Sequence, residues 1–173
     1  MLCDSSLLTD NGPELLGARR VRELLDRHSI RPTKTLGQNF VIDPNTIRKT
    51  LAVADIDPND HVLEIGAGAG SLTVGLAMSA RKVTAVEVDA KLVPLLKEVT
   101  SAHANVDVIH VDALSFDVDA VQADSVVANL PYNIATLVVL RILDLAPTVR
   151  SLTVMTQREV GERLSAPPGS KIY

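Results

Sequence analysis

Short apolar runs alternate with amphipathic segments along most of the chain. Five of these runs are rich in valine and isoleucine and only four to six residues long, which is typical of strands buried on both faces of a sheet. The predicted strands are Val62–Ile65, Val83–Val88, Val106–Val111, Ser125–Ala128 and Leu152–Met155. The predicted helices are Pro13–His28, Asp43–Ala54, Ser71–Ala80, Asp89–Ala102, Ile134–Leu145 and Gln157–Leu164. Because strands and helices alternate, we expect an α/β fold whose doubly wound, mostly parallel sheet is covered by helices on both faces.

This pattern divides the chain into three parts. Residues 1–12 lack periodicity and are expected to form a disordered tail. Residues 13–58 are expected to form a helical segment with a loop that contacts cofactor or RNA, and residues 59–173 the sheet domain. Asp43, which precedes a proline, and Asp89 are the predicted N-caps of their helices. No apolar run approaches the roughly 18 residues of a membrane span, and no basic start marks a secretory signal, so we expect a cytoplasmic protein.

Composition narrows the classes of function. A chain of 173 residues is long enough for one domain with a substantial core. The single cysteine, Cys3, excludes an intramolecular disulfide and a zinc site built from cysteines, and we expect no metal. The formal net charge of −4 argues against a uniformly basic nucleic-acid-binding surface. Residues 17–34 nevertheless carry six basic and two acidic side chains, so this segment is either a phosphate-binding face or an ordinary solvated helix face.

A glycine-rich turn, residues 64–70 with the sequence EIGAGAG, begins at the end of the first predicted strand. Its glycines allow the backbone to turn tightly and to approach a ligand just before a helix N-terminus, although packing turns share this feature. Glu87 ends the second strand 21 residues after Gly66, where a carboxylate can accept hydrogen bonds from both ribose hydroxyls. The spacing Gly-x-Gly-x-Gly differs from that of NAD-binding proteins and favours an adenosyl ligand without a pyrophosphate, such as S-adenosylmethionine. Asp112, just after the third strand, is placed to accept from the adenine amino group, with a simple turn residue as the alternative.

The tract Asn129-Leu130-Pro131-Tyr132 follows the fourth predicted strand. Ligands of doubly wound sheets bind at the carboxyl ends of the strands, so this tract is expected to face the glycine-rich turn. The Asn129 side-chain oxygen and the Leu130 main-chain carbonyl are two acceptors for the N–H bonds of an exocyclic adenine amine. Their hydrogen bonds would favour a tetrahedral nitrogen whose lone pair can attack a methylsulfonium. Pro131 stiffens the turn, and Tyr132 supplies a stacking face for an extruded base.

This chemistry needs no general base before attack, because the methylated ammonium loses its proton readily afterwards. The four histidines are therefore interpreted as surface or structural residues: His28, His61, His103 and His110. The alternative for the Asn129 tract is an ordinary strand-to-helix turn, since Asn and Pro are common turn residues. Its position at a strand end that faces the cofactor turn favours the catalytic interpretation.

These motifs resemble the ribosomal RNA adenine N6,N6-dimethyltransferase family, the KsgA type. The resemblance covers roughly residues 30–173, and its most specific part is Gln38-Asn39-Phe40, which general methyltransferases lack. The resembling tracts are Gly37–Val41, Glu64–Gly70, Glu87–Asp89, Asn129–Tyr132, Gln157–Val160, Arg163–Leu164 and Pro168–Lys171.

The resemblance implies a class I methyltransferase (Rossmann-like) fold that binds S-adenosylmethionine. The implied cofactor residues are Asn39, Val41, Gly66, Glu87, Asp112 and Asn129, and the implied target-base residues are Asn129, Leu130, Pro131 and Tyr132. Phe40 is expected close to the pocket or as a core anchor. The implied reaction is dimethylation of two adjacent adenosines in small-subunit ribosomal RNA, by a monomer acting on the small ribosomal subunit precursor.

Members of this family continue with two further strands and a small helical domain. We therefore expect the sheet to lack one edge, and the chain to be a fragment whose RNA-binding surface is incomplete. Three other interpretations stay open. A large-subunit ribosomal RNA methylase of the antibiotic-resistance type and a DNA adenine methylase share the same chemistry, although the Gly-Gln-Asn-Phe tract disfavours the latter. A non-catalytic RNA- or ribosome-binding module would keep the fold without turnover.

Overall fold

Five parallel strands form one sheet at the centre of the structure, a computed structural model that describes residues 15–31 and 40–169. The strands are β1 (His61–Ile65), β2 (Lys82–Glu87), β3 (Val106–His110), β4 (Ser125–Asn129) and β5 (Ser151–Met155). They lie in the order β3-β2-β1-β4-β5, and every neighbouring pair is parallel. The predicted parallel sheet is confirmed, with each strand within two residues of its expected bounds.

Six helices surround this sheet in the described part of the chain. They are α1 (Ala18–Arg27), α2 (Pro44–Ala54), α3 (Ser71–Ser79), α4 (Leu92–Thr100), α5 (Tyr132–Leu145) and α6 (Arg158–Leu164). Asp43 caps α2 as predicted, its carboxylate accepting from the N–H groups of Asn45 and Thr46. No helix among the described residues is both long and apolar enough to cross a membrane.

The first helix is shorter than predicted. It begins at Ala18 rather than at Pro13, since residues 15–17 are not helical. Gly17 holds the N-cap position in an extended conformation, and no side chain is available there to cap the helix. Leu16, expected in the helical stripe, still packs against the apolar face of α1. The predicted tail, residues 1–12, lies outside the described residues.

The structure also places the start of α4 later than the sequence predicted. Asp89 is not its N-cap: the helix begins at Leu92, after a turn in which the Asp89 carboxylate accepts from the N–H of Lys91. The cause is Pro94. With the helix starting at Leu92, the proline occupies the third position, where a backbone N–H would lack an intrahelical partner anyway. A start at Asp89 would place Pro94 where its ring opposes the carbonyl four residues before it.

Apolar side chains cover both faces of the sheet, which explains why the strands show no polar alternation. Along β1, Val62 packs with Leu76 of α3 on one face, and Leu63 packs with Ile142 of α5 on the other. Successive strand residues point to opposite faces, so both must be apolar when both faces are covered.

Helix α1 packs beside the glycine-rich turn. Its buried side chains Leu24 and Leu25 belong to a cluster that also contains Ala69 of the turn and Leu95 of α4. On the surface, Glu98 of α4 accepts from the histidine that follows α1 at 2.7 Å and pairs with the last arginine of α1 at 3.0 Å. This helix therefore holds one side of the turn in place.

The connection of the strands creates a crevice between β1 and β4. The chain proceeds from β1 to β2 and β3 on one side, then crosses to β4 and β5 on the other. Helices that leave the carboxyl ends of β1 and β4 therefore diverge to opposite sides of the sheet. Ligands of doubly wound proteins bind at this point.

Candidate active site

The glycine-rich turn leaves β1 at this crevice. Gly66, Gly68 and Gly70 have φ angles of +79°, +58° and +83°, a region that side chains strongly disfavour. The N–H groups of Gly66 and Ala67 both donate to the Val86 carbonyl at the end of β2, at 3.0 and 3.2 Å. The turn is therefore anchored to the neighbouring strand, and α3 begins directly after it.

The turn and the Asn129 tract are in direct contact. A Cβ atom on Gly66 would lie 2.8 Å from the main-chain oxygen of Asn129, closer than side chains approach backbone. Asn129 is the last residue of β4, paired with Met155 of β5. The two motifs therefore meet at the carboxyl ends of β1 and β4.

Glu87, at the end of β2, is buried in the wall of the site. Only 6% of its surface is exposed, and its two carboxylate oxygens accept from the N–H groups of Gly68, at 2.7 Å, and Asp89, at 2.8 Å. Each oxygen keeps further acceptor capacity, because a carboxylate offers about four lone-pair sites. Glu87 can thus fix the glycine-rich turn and accept from ligand hydroxyls at the same time.

Asp112 forms a turn after β3, and its role toward the adenine amino group stays a prediction. Its carboxylate accepts from the N–H of Leu114 at 2.9 Å, and its carbonyl accepts from Ser115 and Phe116, so it starts a turn. It also lines the cleft at the end of β3.

These residues enclose one cleft at the carboxyl ends of the strands. The volume of this cleft is about 580 Å³, including the part that is open to solvent. The structure brings together four of the predicted cofactor residues there, along with Leu130 and Pro131. The lining residues are Ile65, Gly66, Val86, Glu87, Val88, Val111, Asp112, Ala113, Asn129, Leu130, Pro131 and Ile134. A lining of carboxylate and amide acceptors among aliphatic walls suits a ligand with an aromatic base and hydroxyl groups.

A second, smaller cavity lies beneath the glycine-rich turn and shares Gly66 and Asn129 with the cleft. Val41 lines it, as does Phe40, whose ring atoms would be 3.1 and 3.3 Å from a Cβ on Gly68. Asn39, the remaining predicted cofactor residue, lies outside the described residues, as do the adjoining Gly37 and Gln38.

The sequence analysis included Glu64 in the cofactor tract but assigned it no contact, and its carboxyl group also lines the small cavity. It is 1% exposed, and its Oε2 has no hydrogen-bond partner among the described residues. Burial raises the pKa of Glu64 to about 8; the Thr73 hydroxyl opposes this rise and the nearby Glu87 charge adds to it. The sequence did indicate this residue, since an ionisable side chain inside an otherwise apolar strand is costly to bury and therefore suggests a specific function.

The rest of the catalytic tract is held by β5 and α5. The Leu130 N–H donates to the Met155 carbonyl at 3.0 Å. Pro131 is extended at the N-cap of α5, and its carbonyl accepts from Ile134 and Ala135 at 3.2 and 3.1 Å. Tyr132 is the first residue of α5, and the stacking role of its side chain stays a prediction.

The histidines with described side-chain bonds lie outside the cleft lining. His61 bonds to the Thr84 hydroxyl at 2.8 Å, His110 to the Val88 carbonyl at 3.1 Å, and His28 to Glu98. These contacts fit the structural roles expected of them.

The residues of the site fit an adenosyl cofactor. Glu87 and Asp112 present carboxylates at the ends of neighbouring strands, and the walls between them are aliphatic. The Cβ-free surface of Gly66 allows backbone to lie against backbone at the base of the cleft. Unpartnered oxygens of Glu64 and Ser71 in the adjoining cavity leave polar capacity for a ligand or its ordered water.

Comparison with known proteins identifies relatives of this arrangement. The chain is 45% identical over 166 residues to the ribosomal RNA small subunit methyltransferase A of Corynebacterium diphtheriae, covering 92% of this chain and 56% of that protein. The chain thus spans little more than half the length of this relative. A dimethyladenosine transferase from Plasmodium falciparum superposes with a TM-score of 0.69 at 30% identity, over 76% of this chain and 48% of that one. The 23S rRNA methyltransferase ErmE superposes with a TM-score of 0.65 at 35% identity, over 72% of this chain and 50% of that one.

The fold is therefore that of methyltransferases with a doubly wound sheet, as the resemblance implied. Residues 29–173 match the ribosomal RNA adenine dimethylase family over most of the chain. The chain belongs to the ribosomal RNA adenine dimethylase family.

Proposed function

We propose that this chain provides the S-adenosylmethionine-binding and catalytic core of an enzyme that dimethylates the N6 amines of two adjacent adenosines in small-subunit ribosomal RNA. The observation that supports this proposal most directly is the contact between Gly66 and the main chain of Asn129. It joins a cofactor turn and an amine-binding tract at one strand-end crevice.

In this proposal, Glu87 accepts from the ribose hydroxyls and Asp112 from the adenine amino group of the cofactor. Val41 and Asn39 are the further cofactor-binding residues of this proposal, and Gly66 allows the cofactor to lie against the strand ends. The involvement of Val41 is supported by its place in the cavity under the turn. The loop that precedes α2 would thus contribute to a site otherwise built on the sheet.

S-adenosylmethionine supplies an electrophilic methyl group when bound. The Asn129 side-chain oxygen and the Leu130 carbonyl accept from the two N–H bonds of the target amine and favour its tetrahedral form. Pro131 fixes the direction of the Leu130 carbonyl, and Tyr132 stacks on the base. The proton leaves the product nitrogen after transfer, so no side chain need remove it beforehand.

Replacing Asn129 by alanine tests this assignment. Methyl transfer should be lost while the affinity for S-adenosylmethionine stays within about tenfold, because the acceptors act mainly in the transition state. Transfer at an unchanged rate would refute the role of Asn129.

The substrate assignment favours the small subunit over the large subunit. The C. diphtheriae relative at 45% identity carries the small-subunit name, whereas ErmE is 35% identical over a smaller share of this chain. Radiolabelled methyl transfer to unmodified small and large ribosomal subunits separates the two. We expect label in N6,N6-dimethyladenosine of the small-subunit RNA, and label only in the large subunit would support the resistance-type alternative.

We further propose an RNA-binding, cytoplasmic monomer that acts on a precursor of the small ribosomal subunit. The exposed arginines of α1 support the RNA contact, since Arg19 projects with 93% of its side chain exposed. Arg19 and Arg20 each approach Glu23 within 4 Å, so part of this charge is compensated locally. Binding of cofactor or RNA without any transfer would instead favour the non-catalytic module.

A further inference from the structure

The small cavity beneath the glycine-rich turn has buried polar groups in its wall that lack hydrogen-bond partners among the described residues. Glu64 Oε2 and Ser71 Oγ both lack a hydrogen-bond partner among the described residues, and both residues are less than 5% exposed. Both line the cavity, which has room for a water-sized group. Two buried oxygens without a protein partner around such a space leave polar capacity for a further group.

The surroundings of Glu64 disfavour a negative charge while the cleft is empty. Helix α3 contributes the neutral hydroxyls of Ser71 and Thr73, and β4 contributes the neutral Asn129. From β2, Glu87 places a second acidic group nearby, which adds repulsion to the cost of burial. Among the described residues, no cation contributes to the pKa of Glu64.

Resting on the proposed function, we propose that Glu64 carries a proton while the cleft is empty and releases it to solvent when a positively charged ligand binds. The balance is simple: a neutral carboxyl group and a ligand cation become a carboxylate facing that cation, plus one proton in solution. The cavity shares two wall residues with the cleft, so the ligand charge enters the immediate surroundings of Glu64. An opposite charge within a few ångströms favours the ionised carboxylate.

This exchange would make the site selective for charge. S-adenosylmethionine carries a sulfonium, an ammonium and a carboxylate group and so has a net positive charge, whereas 5′-methylthioadenosine keeps the adenosyl thioether without any of the three. The first ligand can compensate an ionised Glu64, and the second cannot. Binding of the charged ligand should therefore depend on pH, while binding of the neutral one should not.

Isothermal titration calorimetry in two buffers of different ionisation enthalpy measures the released protons directly. The measurement is made at pH 5.5 and 6.5, where the ligand's own amine stays protonated. With the Glu64 pKa near 8 in the ligand-free protein, we expect about one proton released per S-adenosylmethionine bound at each pH. The dissociation constant should be about tenfold lower at pH 6.5 than at pH 5.5. 5′-Methylthioadenosine should release no proton at either pH.

Two matched variants identify the group. Glu64→Gln should still bind S-adenosylmethionine, with the proton release and the pH dependence both lost. Glu98→Gln is the control, because Glu98 lies on α4 beside His28, which holds its pKa below the usual range and its carboxylate ionised throughout. Its proton release should equal that of the wild type. Release that persists in Glu64→Gln would overturn the proposal.

If Glu64→Gln does not fold, stability of the wild type provides the second measurement. A carboxyl whose pKa is raised in the folded state binds more protons than the unfolded chain, so its contribution is full below pH 4.5 and is lost as pH rises toward 8. Saturating S-adenosylmethionine should flatten this loss, and an unchanged slope would contradict the proposal. Binding without proton release overturns this inference alone, whereas no binding at all overturns the proposed function with it.

Discussion

Gly66→Ala tests the contact on which the site is built. The new methyl group would lie 2.8 Å from the Asn129 main-chain oxygen, and the residue would have to keep a φ of +79°. A positive φ costs an L-residue about 1–2 kcal/mol, and relieving a backbone overlap of a few tenths of an ångström adds about 1 kcal/mol. We expect the free energy of unfolding to fall by about 2–3 kcal/mol.

The same change should weaken cofactor binding. The turn cannot move away from Asn129 without disturbing the bonds of its N–H groups to the Val86 carbonyl. We therefore expect at least a tenfold loss of S-adenosylmethionine affinity, measured by calorimetry on protein that urea titration shows to be folded. The control is Gly161→Ala in α6, where a Cβ meets nothing within 4 Å. It should leave affinity unchanged and stability the same or up to about 1 kcal/mol higher. A Gly66→Ala protein with wild-type stability and affinity would refute the reasoning.

Three further changes probe the supports of the site and sheet. Glu87→Gln should lower S-adenosylmethionine affinity at least tenfold, because one of its amide atoms cannot accept from a backbone N–H; an unchanged dissociation constant would remove Glu87 from the site. Burial and the nearby Lys82 and Arg81 charges lower the pKa of His61, so folding disfavours its protonation. The contribution of neutral His61 to the free energy of unfolding should therefore be complete above about pH 6.5 and decline as pH falls through that value. His61→Gln should lose this decline in urea titrations at a series of pH values. A decline below pH 6.5 that is unchanged in the variant would disprove the role of His61. Arg150→Met leaves the buried Asp60 carboxylate without its cation and should cost about 1–2 kcal/mol, less than a fully buried pair because Arg150 is 65% exposed. A stability equal to that of wild type would show that solvent already screens this pair.

Much of the architecture could be predicted because short stretches of the sequence are enough to indicate each strand and helix. The five apolar runs and the helical spacing between them define a parallel sheet, and the crossover between β1 and β4 determines where a ligand binds. The start of α4 was mispredicted because the cap signal of Asp89 was weighed without the proline five residues later. Pro94 restricts where the helix can begin, and it was visible in the sequence.

The site was predictable in part for the same reason. Residues at strand ends, such as Glu87 and Asn129, are placed by the order of the strands, so a sequence pattern suffices to bring them together. The cavity at Glu64 depends on how α3 and the Phe40 segment pack over β1, and on which polar atoms are left without partners. No local pattern encodes a void of that size.

The most direct test of the proposed cofactor site is a titration of the isotopically labelled chain with S-adenosylmethionine, followed by nuclear magnetic resonance of its amide groups. The N–H groups of Gly68 and Asp89, both bonded to Glu87, and that of Leu130 should shift with saturable dependence on ligand. The N–H of Asn59, which bonds to Asp57 before β1 at the opposite end of the sheet, should stay unchanged. Saturable shifts at the strand-end amides alone are the result that this account predicts. Absence of shifts, or shifts centred on Asn59, would contradict it.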